Sequence, residues 1–300
     1  MKMERINTEV FLKVVEMGSF QKAADSLGYT QAGVSYIINT MEKKLDINLF
    51  MRKYGGVYLT SEGKLLLPLI REMDSSQKAV ENKISQLKEL KSGTIKIASF
   101  SSVMINWLPD IIYMFTQDYP DIEFDLQTCD DRSKIESLIC NMDIDLGFVP
   151  LPAKRDFDTI HLAYDPMLAI VSYEHPLADL EKFPLSEIQN YDYIDADFYP
   201  TSETSEIFKA AGVALPPATL RNTSDYAVMA MVAKNFGYSI FPKLLLKNVP
   251  FPVKCMEFDK PVSRALGIGV NSFSYCSNIA NEFIKYTEKW VQEYSGNVSP

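Results

Sequence analysis

The sequence predicts a multidomain α/β chain: a small helical head, one long connecting helix, and a larger body in which strands and helices alternate. Three observations predict it. The chain has 300 residues, 47% of them hydrophobic, more than one minimal core needs and enough for two or three compact units. From Ile6 to Leu87 the apolar residues recur at helical spacing. Beyond Gly93 short apolar runs rich in β-branched residues alternate with helical stretches, the order expected of a doubly wound sheet.

The head divides into three helices. Ile6, Val10, Phe11, Val14 and Val15 form the apolar stripe of the first, and Gly18 stops it. Ser19 caps the second, which buries Phe20, Ala23, Ala24 and Leu27 and ends at Gly28; the two alanines admit a close neighbour. Thr30 caps the third, with Val34, Ile37, Ile38, Met41 and Leu45 facing inward. On the outer face Gln31, Ala32, Ser35, Tyr36, Asn39 and Lys43 follow one another by threes and fours, so all can enter one groove. A short helix, a tight turn and a second helix with a hydrogen-bonding outer face make a helix-turn-helix. Phe50-Met51-Arg52-Lys53-Tyr54 then leads through Gly55-Gly56 into Val57-Tyr58-Leu59, a hairpin whose Arg52 and Lys53 can reach phosphates or a minor groove.

Charge agrees with this division. The net charge is −9, yet residues 1–60 hold eight Lys and Arg against six acids, a net +2, which leaves −11 on the remainder. A mildly basic head on an acidic body suits docking on DNA by the head alone. For individual side chains, Gln31 can pair with adenine and Ser35 can reach bases or phosphates; Tyr36 and Asn39 either read bases or face solvent. Thr30 is first a cap and second a phosphate ligand.

The residues from Phe11 to Thr60 resemble the DNA-binding domain of LysR-type transcriptional regulators. The matching positions are Phe11, Val14-Val15-Glu16, Gly18-Ser19-Phe20, Ala23-Ala24, Leu27, Thr30-Gln31, Val34-Ser35, Glu42, Leu45, Leu49-Phe50, Arg52, Leu59-Thr60 and Gly63, in order and spacing. The chain differs from the family pattern at Ala32-Gly33, where Pro-Ala or Ser-Ala is usual, and at Tyr36 and Asn39, where basic residues are frequent. The resemblance implies a winged helix-turn-helix over 1–60, a linker and dimerisation helix over 61–91, and an effector-binding domain over 92–300. It also implies that this last domain has a periplasmic-binding-protein-like fold, with subdomain I at about 92–163 and 271–300 and subdomain II at about 164–270. Further implied partners are a partly palindromic double-stranded DNA site, RNA polymerase, and a second or further copies in a homodimer or homotetramer.

In the linker, Leu66, Ile70, Met73, Gln77, Val80, Ile84 and Leu87 form a narrow coiled-coil seam that needs a second copy to cover it, and Pro68 lies inside the helix. In the body the expected strands are 94–98, 122–127, 145–149, 167–173, 193–195, 219–222, 238–240 and 266–270. One helix is expected through Trp107 and Phe115, with others at 133–141, after Thr201, at 225–235 and at 277–290. Hydroxyl-rich turns entering helices offer free N–H groups to a small organic anion. Ser99, Phe100, Ser101 and Ser102 make one such turn and Thr201 and Ser202 begin another, while Thr128, Phe148 and Asn222 lie at strand ends where ligands of open sheets collect. These nine are the expected effector contacts.

Other function classes have less support. Neither GxSxG nor GxxxxGK[ST] occurs, and Gly267-Ile268-Gly269 lacks the third glycine of a dinucleotide fingerprint, so no enzyme, catalytic residue or cofactor is expected. Cys129, Cys140, Cys255 and Cys276 are scattered and only His161 and His175 accompany them, so no metal site is expected. A redox-sensing regulator is the alternative, though no cysteine lies between Asp192 and Gly212, where the resemblance would place a sensing pair. A two-domain solute-binding protein would have no use for residues 1–91. With no apolar stretch approaching the ~20 residues of a membrane span and no signal segment, a cytoplasmic protein is expected.

Overall fold

The computed structural model describes residues 7–54, 56–87, 93–196, 203–247 and 249–294. They form two compact units, Met1–Leu87 and Lys88–Pro300.

The first unit contains α1 (Thr8–Met17), α2 (Phe20–Leu27), α3 (Gln31–Leu45), a hairpin of β1 (Phe50–Lys53) and β2 (Gly56–Leu59), and α4 (Ser61–Leu87). Its caps are those the sequence points to. The Ser19 and Thr30 side chains accept from Lys22 N at 3.4 Å and Gly33 N at 3.1 Å. Gly18 and Gly28 end α1 and α2 at φ 57° and 69°, a backbone region that costs glycine little. Phe11, Val14, Phe20, Ala23, Val34, Ile38 and Leu49 close the core beneath them.

The wing is fastened to this core through polar groups. The Glu42 carboxylate accepts from Leu49 N at 2.6 Å and Phe50 N at 2.9 Å, which fixes where α3 hands over to β1. Thr60 Oγ1 donates to Asn48 O at 2.6 Å and accepts from Gly63 N at 3.0 Å, capping α4. A Cβ at Gly63 would stand 2.3 Å from Leu49 O, so a side chain there would push helix and wing apart.

The expected seam of α4 divides. Ile70 is buried in the head's own core, with Leu66 packed beside it, because the first turns of α4 cover α1. Burying Ile70 contributes about 1.5–3 kcal/mol, a sufficient reason for it to leave the seam. The apolar residues left outward are Leu65, Leu69, Met73, Val80 and Ile84. Thr8 Oγ1 donates to Asp74 Oδ1 at 3.0 Å and holds α1 against α4. Positions 88–91 of the expected helix lie outside the described residues.

The second unit begins β3 (Gly93–Ser99), α5 (Ser101–Asn106), α6 (Leu108–Asp118), β4 (Ile122–Thr128), α7 (Arg132–Cys140) and β5 (Leu146–Leu151). β3 pairs in parallel with both β4 and β5, the sheet that a βαβαβ run builds. In place of the one helix expected through Trp107 there are two, because Pro109 lacks an N–H and is accommodated only in a first turn, so α6 starts afresh at Leu108.

The chain continues through β6 (Asp158–Ser172), β7 (Tyr193–Asp195), α8 (Glu203–Ala210), β8 (Ala218–Arg221), α9 (Asp225–Ala233), β9 (Ser239–Pro242), β10 (Val253–Glu257), β11 (Ser263–Val270) and α10 (Asn278–Tyr294). β6 starts nine residues before the expected Met167, since its first half alternates polar and apolar side chains and carries Pro166. That half, up to Pro166, pairs with β11, and from Met167 onward β6 pairs with β9 and β10. One strand thus serves two apolar cores, one around Phe115, Phe148 and Phe283 and the other around Phe183, Phe208 and Tyr238. β10 has no counterpart among the expected strands. Among the described residues no helix is long and apolar enough to cross a membrane.

Candidate functional site

In the first unit the outer face of α3 is the candidate DNA interface. Val34, Ile38 and Met41 are buried, which turns Gln31, Ala32, Tyr36, Asn39 and Lys43 outward, with Ser35 half-buried between them. Tyr36 is 73% exposed, a large aromatic with nothing from its own unit covering it. Thr30 is exposed and its hydroxyl is engaged as the cap. In the wing Arg52 and Lys53 are exposed, and the Arg52 guanidinium lies 4.9 Å from the centre of the Phe20 ring, so it braces the wing against α2. Tyr54 projects fully from the tip and Tyr58 is half-exposed. These two tyrosines are not among the expected contacts; aromatic residues flanking a Gly-Gly turn are the signal that marks them.

The second unit holds a small solvent-open cavity of about 80 Å³ where β6, β9, β11, α5, α8 and α9 meet. Its floor is the buried side chain of Arg264 on β11. Arg264 Nε and Nη2 donate to Asp165 Oδ2 at 3.1 and 2.9 Å, and Nη2 also donates to Ser102 Oγ at 2.8 Å. Its Nη1 stands 3.9 Å from Glu203 Oε1, and its guanidinium faces the Phe100 ring at 5.6 Å. Burial alone would discourage the Arg264 charge, but Asp165 and Glu203 beside it hold the proton more firmly than usual. Asp165 Oδ1 accepts from Leu244 N at 2.9 Å, so the pair is anchored to the turn after β9. Burial pushes the Glu203 carboxyl above the ordinary carboxylate range, although Arg264 and Arg132 pull it down. Glu203 Oε1 is buried without a hydrogen-bond partner.

Only part of the expected effector set gathers here. Phe100 and Ser102 line the cavity. Ser101 stands beside it, its N–H and hydroxyl bonded to Asp130 Oδ1 and Oδ2 at 2.8 and 2.6 Å. Two expected contacts, Phe148 and Ser99, are corrected, and two more, Thr128 and Asn222, stand apart from this cavity. Phe148 is fully buried in the core with Trp107 and Phe115, because β5 is a central strand packed on both faces. Ser99 is likewise fully buried, its hydroxyl donating to Phe100 O at 3.3 Å. Thr128 is exposed and outside the cavity wall. Asn222 closes the turn before α9 by accepting from Ser224 N at 2.8 Å, and its neighbour Thr223 lines the wall instead. Thr201 and Ser202 lie outside the described residues.

The turn entering α5 offers an anion little. α5 has six residues, too short to carry much dipole, and its leading N–H is taken by Asp130. Asp130, Glu203, Asp225 and Arg264, the charged groups of the wall, are absent from the expected effector set. Carboxylates just after a strand end or at a helix start are the signal that could have found them.

Comparison with known proteins decides the family. Residues 88–292 match the LysR substrate binding domain, and residues 7–64 match the bacterial regulatory helix-turn-helix protein, lysR family. The chain belongs to the LysR family. It is 32% identical over 285 residues to YvbU, an uncharacterized HTH-type transcriptional regulator of Bacillus subtilis, covering 94% of this chain and 96% of that protein. Among solved structures, full-length BenM superimposes with a TM-score of 0.61 at 22% identity, with 99% of each chain covered. A full-length OxyR variant from Pseudomonas aeruginosa superimposes with a TM-score of 0.72 at 14% identity, covering 97% of this chain and 95% of that one. At these identities the two structures establish the fold alone. The LysR chain therefore joins a regulatory helix-turn-helix to an effector-binding domain, and it is a LysR-type transcriptional regulator.

Proposed function

We propose that this regulator inserts α3 into the major groove of a partly palindromic promoter site and that a small molecule in the second unit's cavity alters how it sits there. The observation that carries the reading is the one-sided burial of α3, which leaves Gln31, Ala32, Tyr36, Asn39 and Lys43 outward and Ser35 beside them. Gln31, Ser35, Tyr36 and Asn39 supply donors and acceptors for base edges, and Ala32 supplies an apolar surface for a thymine methyl. Thr30, Lys43, Arg52 and Lys53 face phosphates. Because this face is poor in Lys and Arg, affinity rests on hydrogen bonds, the wing and duplicated heads more than on charge.

Duplication is supported by Leu65, Leu69, Met73, Val80 and Ile84, exposed apolar residues along one helix that a second copy would cover. A dimer or tetramer presents two heads, which matches a palindrome. The cavity supports a small effector that acts by population shift, changing head spacing and contact with RNA polymerase. A promoter target places the protein in the cytoplasm, and the reading requires no catalysis. Footprinting the full-length protein on the intergenic DNA beside its own gene tests it: two protected half-sites are expected, and protection of a single half-site by a monomer contradicts it.

Redox sensing is the second reading, and the thiols disfavour it. All four cysteines are free, and burial pushes the thiol of each above its ordinary value, Cys276 to about 12. The thiolate needed for attack by peroxide is scarce at every position. Peroxide is therefore expected to leave the footprint unchanged; a change reversed by a thiol reductant would restore the redox reading.

A further inference from the structure

We propose that the cavity takes a small molecule whose binding end is a cationic hydrogen-bond donor, such as a protonated amine, carried on an apolar body. The proposal rests on the reading of this cavity as the effector site and adds the chemical class of its ligand.

Charge argues it first. The wall presents three carboxylates, Asp130, Glu203 and Asp225, against one guanidinium, Arg264. That guanidinium is largely engaged: Nε and Nη2 donate to Asp165 and Nη2 also to Ser102, with Phe100 against its face, which leaves Nη1, 3.9 Å from Glu203 Oε1. An entering carboxylate could reach only Nη1 without displacing Asp165, and there it would lie against the Glu203 carboxylate already beside that nitrogen. The N–H and hydroxyl of Ser101 that would otherwise greet an anion are already bonded to Asp130.

The unmet partner argues it second. Glu203 Oε1 is buried at the cavity wall with no hydrogen-bond partner, and Arg264 Nη1, at 3.9 Å, is too far to supply one. A buried acceptor left in this state costs stability until a donor arrives. The charged groups acting on Glu203 are Arg264 and Arg132 on one side and Asp165 and Glu206 on the other; Glu206 is itself paired with Lys154 at 2.6 Å. A cationic donor would satisfy Oε1 and favour the ionised form of the Glu203 carboxyl.

A metal ion fits less well. Among the described residues no three His, Cys, Asp or Glu side chains converge closely enough to hold one. Met167, Ile207, Ile240, Phe241 and Leu245 give the rest of the wall an apolar surface, which suits the body of an organic cation.

The test uses the full-length protein and two matched pairs that differ only in the head group: phenethylamine against hydrocinnamate, and isoamylamine against isocaproate. Thermal shift and calorimetry at millimolar ligand should show stabilisation by at least one amine and none by its carboxylate. Glu203→Gln should weaken the amine roughly tenfold or more. Preference for the carboxylates, no response to either amine, or unchanged amine affinity in Glu203→Gln would each overturn the proposal. Promoter binding by the same preparation separates the two failures. Intact specific DNA binding with carboxylate preference removes only the cationic ligand, whereas loss of DNA specificity in the unmodified protein removes the regulatory reading beneath it.

Discussion

Arg264 and Asp165 lie 99 positions apart in the chain and share two hydrogen bonds, Nε and Nη2 to the same Oδ2, at 3.1 and 2.9 Å. The pair joins β11 to β6 at the place where β6 passes from one core to the other, so it fixes the floor of the cavity from below. Removing one partner strands the other charge. Arg264→Met should destabilise the second unit by about 3–5 kcal/mol in urea denaturation, and Arg264→Met with Asp165→Asn should recover much of that loss. Equal destabilisation in the single and double variants would show that the stranded Asp165 charge is not the source of the loss.

Glu42 acts in the same way inside the head. Its carboxylate takes two backbone donors at the α3–β1 junction, Leu49 N and Phe50 N. Glu42→Ala should cost about 2 kcal/mol or more in thermal unfolding of the head and speed amide exchange at Leu49 and Phe50. The substitution misplaces the wing and leaves the outward side chains of α3, the proposed base readers, intact, so affinity should fall alike for specific and scrambled DNA.

The head around Glu42 is also the part most legible in the sequence. Its helices, caps and wing depend on local signals: Ser19 and Thr30 as caps, Gly18 and Gly28 as stops, and periodic apolar residues. The candidate effector cavity is not legible in this way, because it is built by contacts of long range. Ser102, Asp165, Glu203 and Arg264 come from four separate elements, and nothing near Phe148 in sequence announces that β5 is covered on both faces. The α4 seam is half legible for the same reason: periodicity places Ile70 on a helix, and only tertiary packing decides that α1 claims it.

In the proposed reading the outward residues of α4 form the subunit contact. Leu69 is 56% exposed within its own unit, where a charge costs the fold little. Leu69→Glu should leave the thermal stability of the isolated subunit nearly unchanged yet shift the species seen by analytical ultracentrifugation toward monomer. A dimer that persists with undiminished affinity would place the subunit contact elsewhere.

Acid should weaken the second unit through His175. Burial lowers its pKa from the ordinary 6.5; Nδ1 accepts from Leu177 N at 3.2 Å, and Nε2 has no partner. The unfolded chain therefore takes up this proton at higher pH than the folded one does. Stability is intact above the unfolded value and is lost as pH falls below it toward the depressed folded value. His175→Asn keeps an acceptor near Leu177 N without titrating, so its urea midpoint should depend less on pH in that window than that of the unmodified protein. Identical slopes would assign the acid sensitivity to another group.

The central claim is that α3 reads base sequence. Fluorescence anisotropy should compare the full-length protein and Gln31→Ala on the footprinted promoter site and on a scrambled duplex, at matched salt. The account predicts binding to the site roughly 10³-fold or more tighter than to the scramble, with Gln31→Ala losing about 1–3 kcal/mol on the site alone. Equal affinity of the unmodified protein for both duplexes would contradict it.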